Sequence, residues 1–460
     1  MHIPRLVFAE ERKADKIAPS ILIASVLKGM GRPVRFFSTG SDERYIKLLE
    51  LVTGQKTTIL DPFACGSNRN MKLLFQVAAS PDALNIVFSS LGQRQEPGVF
   101  NVSPIPGDIA RTLESPVVLM LYADNPAAVT SRVLESVAKQ ISSQEMRPSA
   151  VLFSSAFNPR EYQLLEIEAG RRTPLLNLGF VPKTLEKEAP ALMELCIKEM
   201  GTRAVFPVKA ATAQLQGMIN QVEWDILWGF GKRNTKWGAV QDSHKGLGGG
   251  IHVGILSNSD YDLEGDNAEL LFRYLGCKTT IVPLDGSLPS ARLDALYIPH
   301  APGFLCAENL LAKQDMRRWF TSFLRSTKPV MINGGVTPLL GEYFSLPNKK
   351  RYEGLKLFPF NGVYEMPSHN GLGRVEATSS FEGDIMLNKG EKIRGFLPVY
   401  ASVVDPGNTS GAFWIVSDPA KSAETGLSGW STASSIATEI RLELWSNVEG
   451  VLRWLVKRKQ

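Results

Sequence analysis

Residues 329–340 read PVMINGGVTPLL, an apolar run from Pro329 to Ile332 that breaks at Asn333 into a Gly334-Gly335 turn. Short apolar runs bounded by glycine are the pattern of a buried strand, and a strand that turns this sharply forms an elbow on which a side chain can be presented. Gly334 presents none. Outward from the elbow, His252–Leu256, Thr279–Pro283 and Ala295–Ile298 read as further strands, and Asp266–Leu275 and Leu310–Thr327 as helices. Strands alternating with helices predict a parallel sheet covered on both faces.

The first half has the same grammar. Arg5–Ala9 reads as a strand, Ala18–Met30 as a helix stopped by the Gly29/Gly31 pair, and Val34–Phe37 as the next strand. Leu84–Ser89, Pro116–Tyr122, Ala150–Ser154 and Thr173–Leu178 continue the series, with a helix over 124–140. Glu186–Met200 and Ala211–Trp228 read as closing helices, and the polar, glycine-rich tract GKRNTKWGAVQDSHKGLGGG (231–250) as a flexible linker. The expected fold class is therefore α/β, with an N-terminal doubly wound, mostly parallel sheet in residues 1–232, a linker over 233–250 and a second α/β domain in 251–460. After Asp405 a strand is expected at Gly411–Val416, and the apolar spacing from Ile436 to Val456 predicts one long helix over Ala433–Lys457.

The chain has 460 residues, 44% hydrophobic and 21% charged, within the range of globular proteins and long enough for two or three domains. No apolar run approaches the length of a membrane span, and Met1–Arg5 lacks the pattern of a secretory signal, so a cytoplasmic location is expected. Cys65, Cys196, Cys277 and Cys306 show no metal or disulfide spacing. His244, His252 and His369 form no ligand cluster, and no metal site is expected. Net charge is +5 from 51 basic and 46 acidic residues, too mild a balance to imply nucleic acid.

The loop after the first strand is AEERKADKIA, Ala9 to Ala18. A phosphate-cradling loop needs glycines, a lysine and a hydroxyl. Lys16 stands in the lysine position, but Ala9, Lys13 and Asp15 fill the glycine positions and Ile17 the hydroxyl position. Glu10, Glu11 and Asp15 bring negative charge that repels a triphosphate. Asp61 and Asp124 are the acids placed to face a ligand at strand ends, Asp124 equally well as a helix N-cap. Asn333 and Gly335 have two readings, polar groups for a ligand or a tight turn. Trp224 and Trp228, four residues apart, fit helix packing, while Arg111, Arg171, Arg172, Lys232, Arg233 and Lys236 fit solvated charge or contacts to an acidic ligand.

Taken in order, PRLVFAEERKADKIA (4–18), ILDPFACG (59–66), PVVLMLYAD (116–124), TPLLNLGFVPK (173–183), IHVGILSNSDYDLEGDNAELLFRYLG (251–276), LDALYIPHAPGF (293–304), PVMINGGVTPLL and IRGFLPVYASVVD (393–405) resemble the cobyrinate a,c-diamide synthase family over nearly the whole chain. That family joins a P-loop domain akin to dethiobiotin synthetase to a class I glutamine amidotransferase domain. The resemblance implies an ATP-, magnesium- and glutamine-dependent amidase of tetrapyrrole side chains, with nucleotide contacts at Lys16, Asp61 and Asp124. It also places the family's catalytic cysteine at Gly334 and its histidine at Val399.

Glycine and valine supply neither nucleophile nor base. Cys306 and His300, six residues apart, are the substitute pair the sequence offers. The preferred expectation is a degenerate member that binds or scaffolds, with a protein partner or a second copy of itself and no certain cofactor. Two alternatives stay open. One is an active a,c-diamide synthase using ATP, magnesium and external ammonia or a partner glutaminase; the other is a carrier of an anionic tetrapyrrole.

Overall fold

The strand Arg5–Glu11 (β1) is buried at all seven positions, because it runs through the middle of a sheet with helices on both faces. In this computed structural model it pairs in parallel with Leu84–Gly92 (β4) on one side and Val117–Tyr122 (β5) on the other. Val34–Ser38 (β2), Thr58–Ile59 (β3), Pro148–Ala156 (β6) and Leu176–Pro182 (β7) complete a parallel sheet of order β3-β2-β4-β1-β5-β6-β7. The structure describes residues 1–460 except 14, 93–99, 101, 157, 187, 189–208, 211, 217–220, 234, 258–261, 285–287, 290, 308–312, 367–372, 405–411, 422, 432–433 and 457–460.

Helices Pro19–Gly29 (α1), Glu43–Thr53 (α2), Asn68–Ala78 (α3), Ile105–Leu113 (α4), Ala127–Ser142 (α5) and Pro159–Arg172 (α6) connect these strands. Their starts are written in the sequence. Asp42 caps α2 through the Tyr45 amide, Ser67 caps α3, and Asn158 caps α6 with Pro159 at its first position. Phe8, Ile86 and Val118 pack under α1 on one face; Val7, Val87 and Leu119 lie in the core on the other.

The closing helix expected at Glu186–Met200 falls almost wholly outside the described residues. Trp224–Arg233 (α7) replaces the end of the helix expected over Ala211–Trp228, and it buries Trp224, Leu227 and Phe230 against the first sheet. The following tract is packed where composition suggested a loose tether. Trp237 is 6% exposed, packs at a tilt against Phe75 with ring centroids 5.2 Å apart and donates its Nε1–H to Gln76. An aromatic anchor with its polar atom satisfied outweighs the glycine content around it.

The second sheet begins with His252–Ser257 (β8), Lys278–Pro283 (β9), Ala295–Ile298 (β10) and Val330–Asn333 (β11), all parallel. Helices Asn267–Tyr274 (α8), Gly303–Ala307 (α9) and Gln314–Leu324 (α10) lie between these strands. A small sheet of Tyr343–Ser345 (β12), Arg351–Glu353 (β13), Asn361–Tyr364 (β14) and Ala401–Val404 (β17) packs on the turn after β11. Gly373–Ser379 (β15), Lys392–Leu397 (β16), Ala412–Asp418 (β18), Ala423–Ser431 (β19), Ser435–Thr438 (β20) and Arg441–Leu442 (β21) extend the main sheet to ten strands.

The long C-terminal helix expected over Ala433–Lys457 is corrected by β20 and β21. Among the described residues of that span only Val448–Val456 (α11) is α-helical, after a short 3-10 turn at Leu444–Asn447. Ser435–Thr438 is buried throughout because it fills the slot between β11, parallel, and β19, antiparallel. The spacing of Ile436, Ile440 and Leu442 fits a helix, but two-sided burial rewards a strand at the same residues.

The halves share one continuous apolar core, in which Phe75 and Val87 join Leu271, Phe272 and Trp445. Polar groups complete the seam. Asn267 exchanges hydrogen bonds with the backbone of Ile59, both at 2.8 Å, and Thr58 donates to Asp266 at 2.7 Å. Arg35 also pairs with Asp266. Gly265, at φ 73°, brings its backbone so close to Thr57 that a Cβ there would lie 2.2 Å from the Thr57 carbonyl oxygen.

Candidate functional site

The elbow predicted from PVMINGGVTPLL is present. β11 ends at Asn333, and Gly334 turns the chain at φ 70° into a buried 3-10 segment, Gly334–Leu340. An L-residue at that φ is strained, and there is no room for one. A Cβ on Gly334 would lie 2.0 Å from His300 Nδ1. His300, fully buried after β10, thus fills the volume into which an elbow side chain would project.

His300 is held from three sides. Its Nδ1 accepts from the Gly335 amide at 3.0 Å, which leaves the ring proton on Nε2. Nε2 faces Glu43 Oε1, and the Tyr400 hydroxyl lies 2.9 Å from the same nitrogen while donating to Glu43 Oε2 at 3.1 Å. Glu43 belongs to the first turn of α2, so the second half's glycine turn is locked by an acid from the first half. Arg441 stands 3.7 Å from Glu43 and 4.8 Å from the Phe396 ring.

A second layer lies beneath. Asn333, fully buried, donates to Glu264 at 2.9 Å and to the Tyr297 hydroxyl at 2.8 Å, and accepts the Leu442 amide. Glu264 also takes the His300 amide at 2.8 Å. Burial pushes the Glu264 carboxyl upward, against the hydrogen bonds from Tyr297, His300 and Asn333 that favour its charge. Burial raises Glu443 to about 8 and Glu439 to about 7. Glu443 accepts from Asn267 at 2.6 Å, and Glu439 from Ser428 at 2.8 Å.

The residues singled out from sequence lie as follows around this network. Asn333 serves the internal network, while Val399 stands at the surface, 51% exposed, and its neighbour Tyr400 reaches His300. Cys306 is buried in α9 beside Tyr364, whose hydroxyl donates to the Gly335 carbonyl oxygen at 2.9 Å. His300 meets Glu43, Tyr400 and Gly335 through its two nitrogens, so its polar partners differ from the Cys306 pairing. His369 and Cys196 lie outside the described residues.

The start of α1, where the sequence resemblance puts a phosphate loop, is filled in the same manner. Glu10 Oε1 accepts the Ser20 amide at 2.7 Å at the start of α1, and Oε2 accepts Ser20 Oγ at 2.7 Å and Arg12 Nε at 2.9 Å. The N-terminus of a helix is where an anion binds, and here the chain's own carboxylate is that anion. Glu10 is fully buried, and the Arg12 guanidinium lies 3.6 Å over the Tyr45 ring. Glu11 accepts the Tyr122 amide.

Lys16, Asp61 and Asp124 each meet different partners. Lys16 makes a backbone bridge to Glu188, and Lys13 in its stead reaches Asp124 at 2.6 Å. Asp61 is fully buried, accepting from the Phe63 and Ala64 amides and from Arg374 at 2.9 Å. The α5 N-cap is Pro126, so Asp124 does not take that role. Arg111, Arg171 and Arg172 make ion pairs with Asp108, Glu168 and Glu135 at the surface. Among the described residues no cluster of three metal-ligating side chains occurs, and no helix is long and apolar enough to cross a membrane.

Sequence reading missed Glu43, Tyr400, Glu264 and Arg441, because their meeting point depends on how the two halves dock. Glu10 was visible as an acid at the end of an apolar strand, but its insertion at Ser20 was not.

No family model matches the chain, and no curated protein matches it. Solved structures with similar folds include PurLQS from Thermotoga maritima, at 13% identity and TM-score 0.33 over 46% of this chain and 99% of that one. A glutamine amidotransferase from Thermotoga maritima matches at 10% identity and TM-score 0.29, over 45% of this chain and 82% of that one. The MinD cell division protein of Aquifex aeolicus matches at 9% identity and TM-score 0.27, over 46% and 96%.

Proposed function

We propose that this chain is a non-catalytic relative of ATP- and glutamine-dependent amidases, working in the cytoplasm as a binding or scaffolding subunit. The observation that carries the reading is that both candidate reactive positions are filled by the protein's own side chains: His300 at the elbow and Glu10 at the start of α1. Neither is a mere deletion. Each resident group is buried and hydrogen-bonded, so a substrate would first have to displace a satisfied polar network. The two-domain division at 233–250, and a protein partner or second copy, belong to the same proposal. The link to tetrapyrrole amidation rests on the sequence resemblance.

Calorimetric titration of the full chain with ATP-magnesium and with glutamine tests the reading. No saturable heat is expected for either. Saturable binding of ATP-magnesium that Lys16→Ala removes would instead favour the working amidase.

A further inference from the structure

A cavity of about 390 Å³ opens at the carboxyl ends of β5 and β6, lined by neither His300 nor Glu10. Its walls include Ala123, Asp124, Ala156, Glu161, Tyr162 and Leu165. The volume is that of a small-molecule site, and strand ends of an open parallel sheet are where such sites form. Two features show that its shape is built. Tyr162 is fixed by Phe180, ring centroids 4.4 Å apart. Ser155, a buried non-glycine residue at φ 60°, hydrogen-bonds Glu186 and turns the end of β6 so that Ala156 meets the cavity. A left-handed serine held in this way is the backbone strain that accompanies ligand sites.

The chemistry of the walls sets the class of ligand. Among the described residues no lysine, arginine or histidine lines the cavity, while two carboxylates do. Lys13 reaches Asp124 from outside the lining, at 2.6 Å, and Glu161 is exposed on the first turn of α6. Glu186 lies behind Ser155, with its carboxyl raised by burial, and Glu11 lies behind Tyr122. Among the described residues, the four acids Asp124, Glu161, Glu186 and Glu11 therefore stand against two cations, Lys13 at Asp124 and Lys183 near Glu186, and the Tyr162 ring adds a face that attracts positive charge.

We propose that this cavity binds a small organic cation: an amine whose apolar body lies on Tyr162, Leu164 and Leu165 and whose ammonium group faces Glu161 and Asp124. The proposal goes beyond the scaffolding role and uses different residues, so either can fail without the other.

Hexylamine and hexanoate, of equal chain length and opposite charge, are titrated calorimetrically into the full chain, into Glu161→Lys and into Leu164→Gln. Both substituted positions are exposed, so the variants keep the wild-type fold, with a small loss of melting temperature in Glu161→Lys from reversing the charge on the first turn of α6. Saturable binding of hexylamine, weakened about tenfold or more in each variant, with hexanoate silent, is the expected result. Absence of saturable hexylamine binding, equal binding of hexanoate, or undiminished binding to Glu161→Lys would overturn the proposal.

Discussion

His300 Nε2 lies 2.5 Å from Glu43 Oε1, a contact that joins the loop after β10 to the first turn of α2. The side chains of both residues are 3% exposed or less. Because the same ring blocks Gly334, this pair holds the seam together and keeps the elbow shut.

Removing the acid should be costly. Glu43→Ala leaves His300, Tyr400 and Arg441 facing an unoccupied acceptor position, and breaking a buried, paired charge costs about 3 to 5 kcal/mol. Denaturant melts should show that loss, with a smaller one for Glu43→Gln, which keeps one acceptor oxygen.

A cysteine at the elbow should not fit. Gly334→Cys meets both the left-handed φ and the His300 ring, and is expected to lower stability without producing ammonia from glutamine. Adding His300→Ala vacates the volume, so the two losses should be non-additive by about 1 to 2 kcal/mol in a double-mutant cycle. Additive losses would show that His300 does not occupy the elbow's space.

Glu443 makes stability depend on pH. Its folded carboxyl is raised from 4.5 to about 8, so the folded state holds a proton that the unfolded state has released. The contribution is present below pH 4.5 and declines as pH rises through about 8, at a limiting slope of about 1.4 kcal/mol per pH unit. Glu439 adds a decline that ends near pH 7. Glu443→Gln should flatten the melting temperature between pH 7 and 8 and leave only Glu439's share of the slope below pH 7.

Glu10 can be tested by chemical rescue. Glu10→Ala exposes the start of α1 and leaves the partly buried Arg12 without its carboxylate, a loss of about 1 to 3 kcal/mol. Inorganic phosphate should raise the variant's melting temperature more than potassium chloride of equal ionic strength does, because binding to the native state stabilises it by mass action. The wild type, already holding Glu10 at Ser20, should respond equally to both salts.

The parallel strands β1, β2 and β4–β7 of the first sheet and β8–β11 of the second were legible because buried strands leave uninterrupted apolar runs, as in RLVFAEE and PVMIN. The C-terminal segment was not. Ile436, Ile440 and Leu442 satisfy a helical period and a strand equally, and only the vacancy beside β11 decides between them. Gly334 was readable as the elbow from its neighbours alone. That His300 fills it, and that Glu43 and Tyr400 hold His300, depends on side chains 257 and 100 residues away in sequence, which no local pattern encodes.

Closure of the elbow by His300 is tested by measuring ammonia released from glutamine by the purified protein, with ATP and magnesium present. Release no faster than the protein-free control is the predicted result. Turnover above that control, abolished by Cys306→Ala or by His300→Ala, would contradict the claim that the elbow is closed by the chain's own histidine.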